Sequence, residues 1–304
     1  MRAVILQLDG ALEPQTELQR AALQGGGRLL SARDLGPALR LWSSAATLAG
    51  LRWRLAADLP AGEAEVVFAG SGDFHHITPL LIERAMGASD EPTTVLHFDN
   101  HPDWVRHARG RHCGSWVGRA ARMPGVARVV TVGVCSPDVG RGRAREGDLA
   151  LLAEGRLALY AWTAPDGGEA VVLDGRAWPT IESLGEAAFL DLLAASITTK
   201  ALYVTVDKDV LRPEDAMTNW DQGRASLDFV VAAIRRAGAG RRVVGADVVG
   251  DWSAPVYGGG RMARMLKRGE ALIDQPWRRP APEAARVVNE AANLRLLDLF
   301  AELA

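Results

Sequence analysis

The stretch Thr94-Val95-Leu96-His97-Phe98-Asp99-Asn100-His101-Pro102-Asp103 decides how this chain is read. Its first five residues form an apolar, β-rich run of the kind that makes a buried strand. Side chains alternate along extended backbone, so Asp99, His101 and Asp103 project to one side just past the strand end. Two carboxylates and an imidazole converging there outline a metal site. A second acid pair, Asp207 and Asp209, follows another apolar run, Ala201-Leu202-Tyr203-Val204-Thr205-Val206, with the same spacing of two. Four carboxylates at two strand ends repel one another unless cations lie among them, and two divalent ions balance that charge. A binuclear metalloenzyme is the expectation.

Working outward, short β-rich runs alternate with longer Ala/Leu/Arg segments of helical period, the pattern of βαβ units around a mostly parallel sheet. Strands are predicted at Val4 to Leu8, Val66 to Ala69, Thr94 to Phe98, Arg128 to Val134, Leu157 to Trp162, Ala170 to Leu173, Ala201 to Val206 and Val243 to Val248. Helices are predicted at Ser31 to Leu48, Ile77 to Met86, Ser115 to Met123, Glu182 to Ser196, Ser226 to Ala237 and Glu283 to Leu303. Arg141 to Asp148, Pro165 to Gly168 and Pro255 to Gly260 read as surface loops. The expected fold class is α/β, a single-domain three-layer α/β/α arrangement over residues 1–304. Every acidic or histidine cluster falls just after a strand, where open parallel sheets bind their ligands.

Composition narrows the partners. With 35 basic and 37 acidic residues interspersed and a net charge of -2, no field gathers nucleic acid or an anionic membrane, which leaves a small-molecule substrate. Two cysteines, Cys113 and Cys135, are too few for a disulfide framework. No signal-like segment opens the chain and no apolar stretch approaches the roughly 20 residues that cross a bilayer, so a cytoplasmic location is expected. A homo-oligomer is left open.

A third strand, Val66 to Ala69, runs into Gly70-Ser71-Gly72-Asp73-Phe74-His75-His76-Ile77. Taken in order with Asp-x-His-x-Asp, the isolated His112 and Asp-x-Asp, these blocks resemble the ureohydrolase family, the arginases and agmatinases, from about the Val66 strand to the Val243 strand. The resemblance implies an arginase/deacetylase-type sheet and a hydrolase acting on a carbon–nitrogen bond through a hydroxide shared by two metals. It also implies the ligands. His75, Asp99, Asp103 and Asp207 would hold one ion, and Asp99, His101, Asp207 and Asp209 the other, with Asp99 and Asp207 bridging. The register of the following Ile-Thr and Leu-Leu selects His75 over His76. A carboxylate-dominated set without thiolate suits Mn²⁺ best. His112 stands at the family's proton-shuttle position, although Cys113 separates it from Gly114, and Asp103 belongs to the catalytic set as well as to the ligands.

The chain departs from the family in one informative place. Family members carry a substrate-gripping Glu where this sequence has Gly250, in Asp247-Val248-Val249-Gly250-Asp251-Trp252. Asp251 is the substitute considered, provided that a turn at Gly250 brings it into the pocket. Plain arginine is therefore not the expected substrate; a guanidino, amidino or amide compound is. Lys208, between the two acids of Asp-x-Asp, needs a partner if buried, and Asp247 is one candidate. Trp104, Trp116, Trp220 and Trp252 are expected to rim the site and favour a flat or cationic group. Arg106, His107, Arg109 and Arg111 form a basic run that reads either as a solvated loop or as a clamp for a substrate carboxylate. Two other readings compete: a single-metal deacetylase-like amidohydrolase, against which Asp103 and Asp209 argue, and a non-catalytic member of the fold.

Overall fold

The β-rich runs assemble into one continuous sheet. The structure is a computed structural model and describes residues 1–59, 62–87, 89, 91–140 and 143–303. Its strands are β1 (Arg2–Gln7), β2 (Arg28–Ser31), β3 (Glu65–Phe68), β4 (Thr93–Phe98), β5 (Val126–Val134), β6 (Leu157–Ala161), β7 (Ala170–Leu173), β8 (Arg176–Pro179), β9 (Ala201–Asp207) and β10 (Arg242–Val249). Eight of them form a parallel sheet in the order β2-β1-β3-β10-β9-β4-β5-β6. The helices that surround it are α1 (Thr16–Gln24), α2 (Gly36–Leu39), α3 (Ala45–Asp58), α4 (Thr78–Met86), α5 (Val117–Ala121), α6 (Leu149–Ala153), α7 (Ile181–Leu184), α8 (Glu186–Ser196), α9 (Leu227–Gly238), α10 (Arg261–Asp274) and α11 (Pro282–Glu302). This is the three-layer α/β arrangement expected. Strands β3, β4 and β9 are buried along their whole length, as strands covered on both faces must be.

Register brings the chemistry together. Phe98 of β4 lies beside Val206 of β9, and Val249 of β10 lies beside Asp207, so Asp99, Asp207 and the chain beyond β10 emerge at one level of the carboxyl edge. From neighbouring β3 the chain enters a 3₁₀ turn, Gly72–Ile77, capped by Ser71 and followed directly by α4 with Pro79 in its first turn.

Several elements differ from expectation. The helix predicted over Ser31 to Leu48 is instead the end of β2, the short α2, an extended break and α3. Pro37 starts α2, and the chain leaves helical geometry at Arg40, whose guanidinium is buried against Asp9 and Asp73; Leu41 follows at φ 65°. Ser44 then caps α3 by accepting from the Thr47 amide. Gly185, at φ 78°, splits the predicted Glu182 to Ser196 helix into α7 and α8. The Ala170 to Leu173 strand pairs antiparallel with β8 in a separate hairpin rather than joining the sheet. Of the predicted Arg141 to Asp148 loop, Arg141 and Gly142 lie outside the described residues, and Arg143–Glu146 is a 3₁₀ turn. Among the described residues no helix is long and apolar enough to cross a membrane.

Candidate metal centre

His75 is the key to the site. It is buried, and its Nε2 lies 2.9 Å from the Thr205 hydroxyl, which itself donates to Asp247 Oδ2 at 2.9 Å. The hydroxyl proton being used, Thr205 accepts, and the His75 proton is on Nε2. Asp247 is fixed further by donors from Tyr203 and Thr78, so the tautomer is set by a chain of hydrogen bonds reaching into the sheet. In the neutral ring Nδ1 then carries the lone pair. It has no hydrogen-bond partner, yet lies 3.1 Å from Asp99, 3.2 Å from Asp103 and 3.6 Å from Asp207. A buried lone pair facing three carboxylates is unfavourable unless something positive sits between them.

The second half repeats the pattern. His101 Nδ1 lies 2.9 Å from Asp209 and 3.5 Å from Asp99, while its Nε2 lies 3.0 Å from Asp221. Donation from Nε2 to Asp221 leaves Nδ1 free to ligate, the carboxylate–histidine support common in metal sites. Two clusters could each hold an ion: His75, His97, Asp99 and Asp103, and Asp99, His101 and Asp209. Asp99 belongs to both. Asp207 stands beside them, its Oδ1 accepting from the Asp209 amide at 3.0 Å. The donor set of carboxylates and imidazoles fits a divalent ion such as Mn²⁺.

Electrostatics shows the cost of these charges without a cation. Burial, then Asp99, pushes Asp103 up to about 6 and Asp207 up to about 7. Burial, with Asp207 and Asp99, raises Asp209 well above the carboxylate range. Burial opposes ionisation of Asp99 too, but the neighbouring His101, His75 and His97 outweigh it and hold that carboxyl well below its ordinary value. For His75, burial disfavours the cation, and the Asp103 and Asp99 carboxylates overcome this and raise its pKa. In metal-free protein, protons stand in for the missing positive charge.

Gly72 and Gly250 explain how the backbone closes around Asp207. A Cβ on Gly72 would lie 2.5 Å from Asp207 Oδ2, and one on Gly250, which adopts φ 94°, would lie 2.5 Å from Asp207 Oδ1. A side chain at position 250 would thus strike a carboxylate of the centre.

The centre opens into a cavity of about 630 Å³. On its wall, the Gly114 amide donates to His112 Nδ1 at 2.9 Å, which puts the His112 proton on Nε2, 2.5 Å from Glu270 Oε1. Glu270 Oε2 accepts from Trp42 Nε1 at 3.0 Å. Glu270 comes from α10, a helix that sequence reading left out.

Other expected site residues sit elsewhere. Asp251 is buried, 2.8 Å from Lys208 Nζ and hydrogen-bonded by Gln15 and Asn293, so it neutralises Lys208 instead of facing the cavity. Asp251, not Asp247, is thus the partner Lys208 needs. Trp104 is buried under Gly147, and Trp116 packs against His75 and His97 and donates to Asp103 at 2.7 Å. Neither is a rim residue; Trp116 positions Asp103. Trp252 lines neighbouring cavities, and of the four tryptophans only Trp220 lines this one. From the basic run only His107 reaches the lining. His76, whose pKa burial lowers, meets Ser43 and lies outside the cluster. Burial raises the Cys113 thiol well above its ordinary value, which leaves no thiolate beside His112. His97 was missed, although its period-two spacing from Asp99 places it on the same face.

No family model matches the chain. An uncharacterized protein of Thermotoga maritima is 25% identical over 186 residues, 61% of this chain and 58% of that protein's length. The chain thus spans less than two thirds of that relative. Among solved structures, formiminoglutamase from Trypanosoma cruzi, solved with Mn²⁺, is similar at a TM-score of 0.56 and 12% identity, covering 98% of this chain and 93% of that one. Arginase from Bacillus cereus gives 0.55 and 14%, covering 96% of each chain. Proclavaminate amidino hydrolase from Streptomyces clavuligerus gives 0.53 and 16%, covering 96% and 91%. The chain therefore shares the fold of these solved structures, the arginase-type sheet expected from its sequence.

Proposed function

We propose that this protein is a binuclear metal-dependent hydrolase that cleaves a carbon–nitrogen bond in a guanidino, amidino or amide small molecule. The observation that carries this reading is the buried Nδ1 of His75, which has no hydrogen-bond partner among the described residues and lies within 3.6 Å of carboxylates from Asp99, Asp103 and Asp207. His75, Asp99, Asp103 and Asp207 would hold one ion, and Asp99, His101, Asp207 and Asp209 the other. Divalent ions, Mn²⁺ foremost, supply Lewis acidity and a water acidic enough to give hydroxide near neutral pH. The chain's own residues do the rest. Trp116 locks Asp103, and Thr205 locks His75. His112, its Nε2 proton directed at Glu270, holds a proton at the cavity wall for delivery to the leaving amine.

The cavity lining also bears on the substrate. Beyond the ligands it presents Asp138, Glu146, Asp221, Glu270 and Asp274, and among the described residues it has no lysine or arginine. A cationic nitrogen suits such a wall, and Glu270 is the carboxylate placed to grip it in the absence of one at Gly250. A substrate carboxylate suits it less, which weighs against the basic-run clamp and against arginine. The test is a panel of guanidino, amidino and N-acyl compounds, with and without a carboxylate, assayed for urea, ammonia or amine on Mn²⁺-loaded protein. Turnover confined to members lacking a carboxylate is expected; no turnover of any member would contradict the reading. The expectations of a small-molecule substrate and a cytoplasmic location are kept with it.

A further inference from the structure

The other side of α10 borders a second cavity, of about 700 Å³, with the opposite charge. Arg264 and Arg268 reach it from the helix, and Arg278 and Arg279 from the segment that follows. Among the described residues no aspartate or glutamate lines it, and none of these four arginines has an ion pair or a side-chain hydrogen bond. Elsewhere arginines find partners readily: Arg40, Arg52, Arg54, Arg235 and Arg286 all pair with carboxylates. Four unpaired guanidiniums around one hollow repel, and each offers a planar fork of donors shaped for phosphate or carboxylate oxygens. The Tyr257 ring lines the hollow as well, its hydroxyl shut off from solvent. Flat apolar walls complete the hollow: Trp252 and Tyr257 on the β10 side, and Trp277, 86% exposed, at the mouth.

We propose that this cavity is a second binding site, separate from the metal centre, for a multiply charged organic anion that carries a flat ring, the chemistry of a nucleoside di- or triphosphate. The arginines hold the anionic end, and the ring stacks on tryptophan. The carboxylates that line the metal pocket suit a cationic group instead.

The probes are ADP, pyrophosphate and adenosine, titrated calorimetrically into metal-loaded wild-type protein cleared of excess metal. ADP is expected to bind more tightly than either fragment, and Arg264→Ala combined with Arg268→Ala, both on the exposed side of α10, is expected to weaken it about tenfold or more per arginine removed. Trp277→Ala should weaken ADP and leave pyrophosphate unchanged. Asp207→Ala should bind ADP as the wild type does. Lack of ADP binding to wild type, equal binding by the double arginine variant, or loss of binding in Asp207→Ala, which would place ADP on the metals, each overturns the proposal. Pyrophosphate binding as tightly as ADP overturns the stacking part.

Discussion

Helix α10 divides two cavities built on opposite principles. On one side, carboxylates and imidazoles stand at the ends of three central strands, β3, β4 and β9, with hydrogen bonds that fix their direction: Thr205 and Asp247 behind His75, Trp116 behind Asp103, Asp221 behind His101. On the other, arginines without partners among the described residues stand on the helix and the chain after it. The difference shows what each charge requires. A small, hard cation rewards ligands fixed to a fraction of an ångström, and a sheet edge supplies that rigidity. A large, flat anion tolerates flexible side chains, and a peripheral helix is enough.

The comparison breaks first at catalysis. His112→Ala should leave metal content unchanged while lowering kcat by ~10²–10⁴; the Arg264→Ala, Arg268→Ala double variant should leave kcat unchanged. Paired metal analysis and steady-state kinetics check both, and a variant of His112 that lost metal would make it a ligand. Next comes a stability effect without a catalytic one. Asp251→Asn leaves Lys208 charged and unpaired in the interior, at a cost of about 3–5 kcal/mol. Denaturant unfolding should show that loss while KM of the folded fraction stays unchanged; the reverse pattern would return Asp251 to the substrate pocket.

Glu270→Gln removes the carboxylate shared by His112 and the cavity. Losing a charge-assisted hydrogen bond worth about 1.5–3 kcal/mol should reduce kcat/KM for cationic substrates roughly 10- to 150-fold. Neutral amides should lose less, and equal losses for both would deny Glu270 a gripping role. The mildest effect is in pH. Asp103 and Asp207, raised to about 6 and about 7, bind protons in the folded metal-free protein that the unfolded chain releases near pH 4. Metal-free stability should therefore fall as pH rises from about 4 to 7, whereas metal affinity should rise over the same window because binding displaces those protons. Asp99, held low, acts in the other sense, its contribution being lost only as pH falls below about 4. Melting curves with and without Mn²⁺ at pH 5.5 and 8 read both slopes.

The sheet was legible because its central strands are uninterrupted apolar runs ending in acids, a pattern fixed by burial on both faces. The acidic centre was legible for the same reason, at Asp99, His101, Asp207 and Asp209. His97 carried a readable signal, its even spacing from Asp99. Helix α10 repeats apolar residues at Met262, Met265, Leu266, Leu272 and Ile273, but these are exposed and only Lys267 is buried, so the segment does not look like a core helix. With α10 unseen, neither Glu270 nor the arginine cavity could be found. The break at Arg40 and the fate of Asp251 depend on partners 31 to 43 residues away in sequence, Asp9, Asp73 and Lys208, which local pattern does not reveal.

The most direct test is metal content per chain, measured by elemental analysis on wild type, Asp99→Ala, Asp207→Ala and Asp209→Ala after loading with Mn²⁺ and removal of excess. Two ions in the wild type, near none in the first two variants and one in Asp209→Ala is the predicted result. Undiminished metal in Asp99→Ala and Asp207→Ala, or a wild type that binds none, would contradict the account.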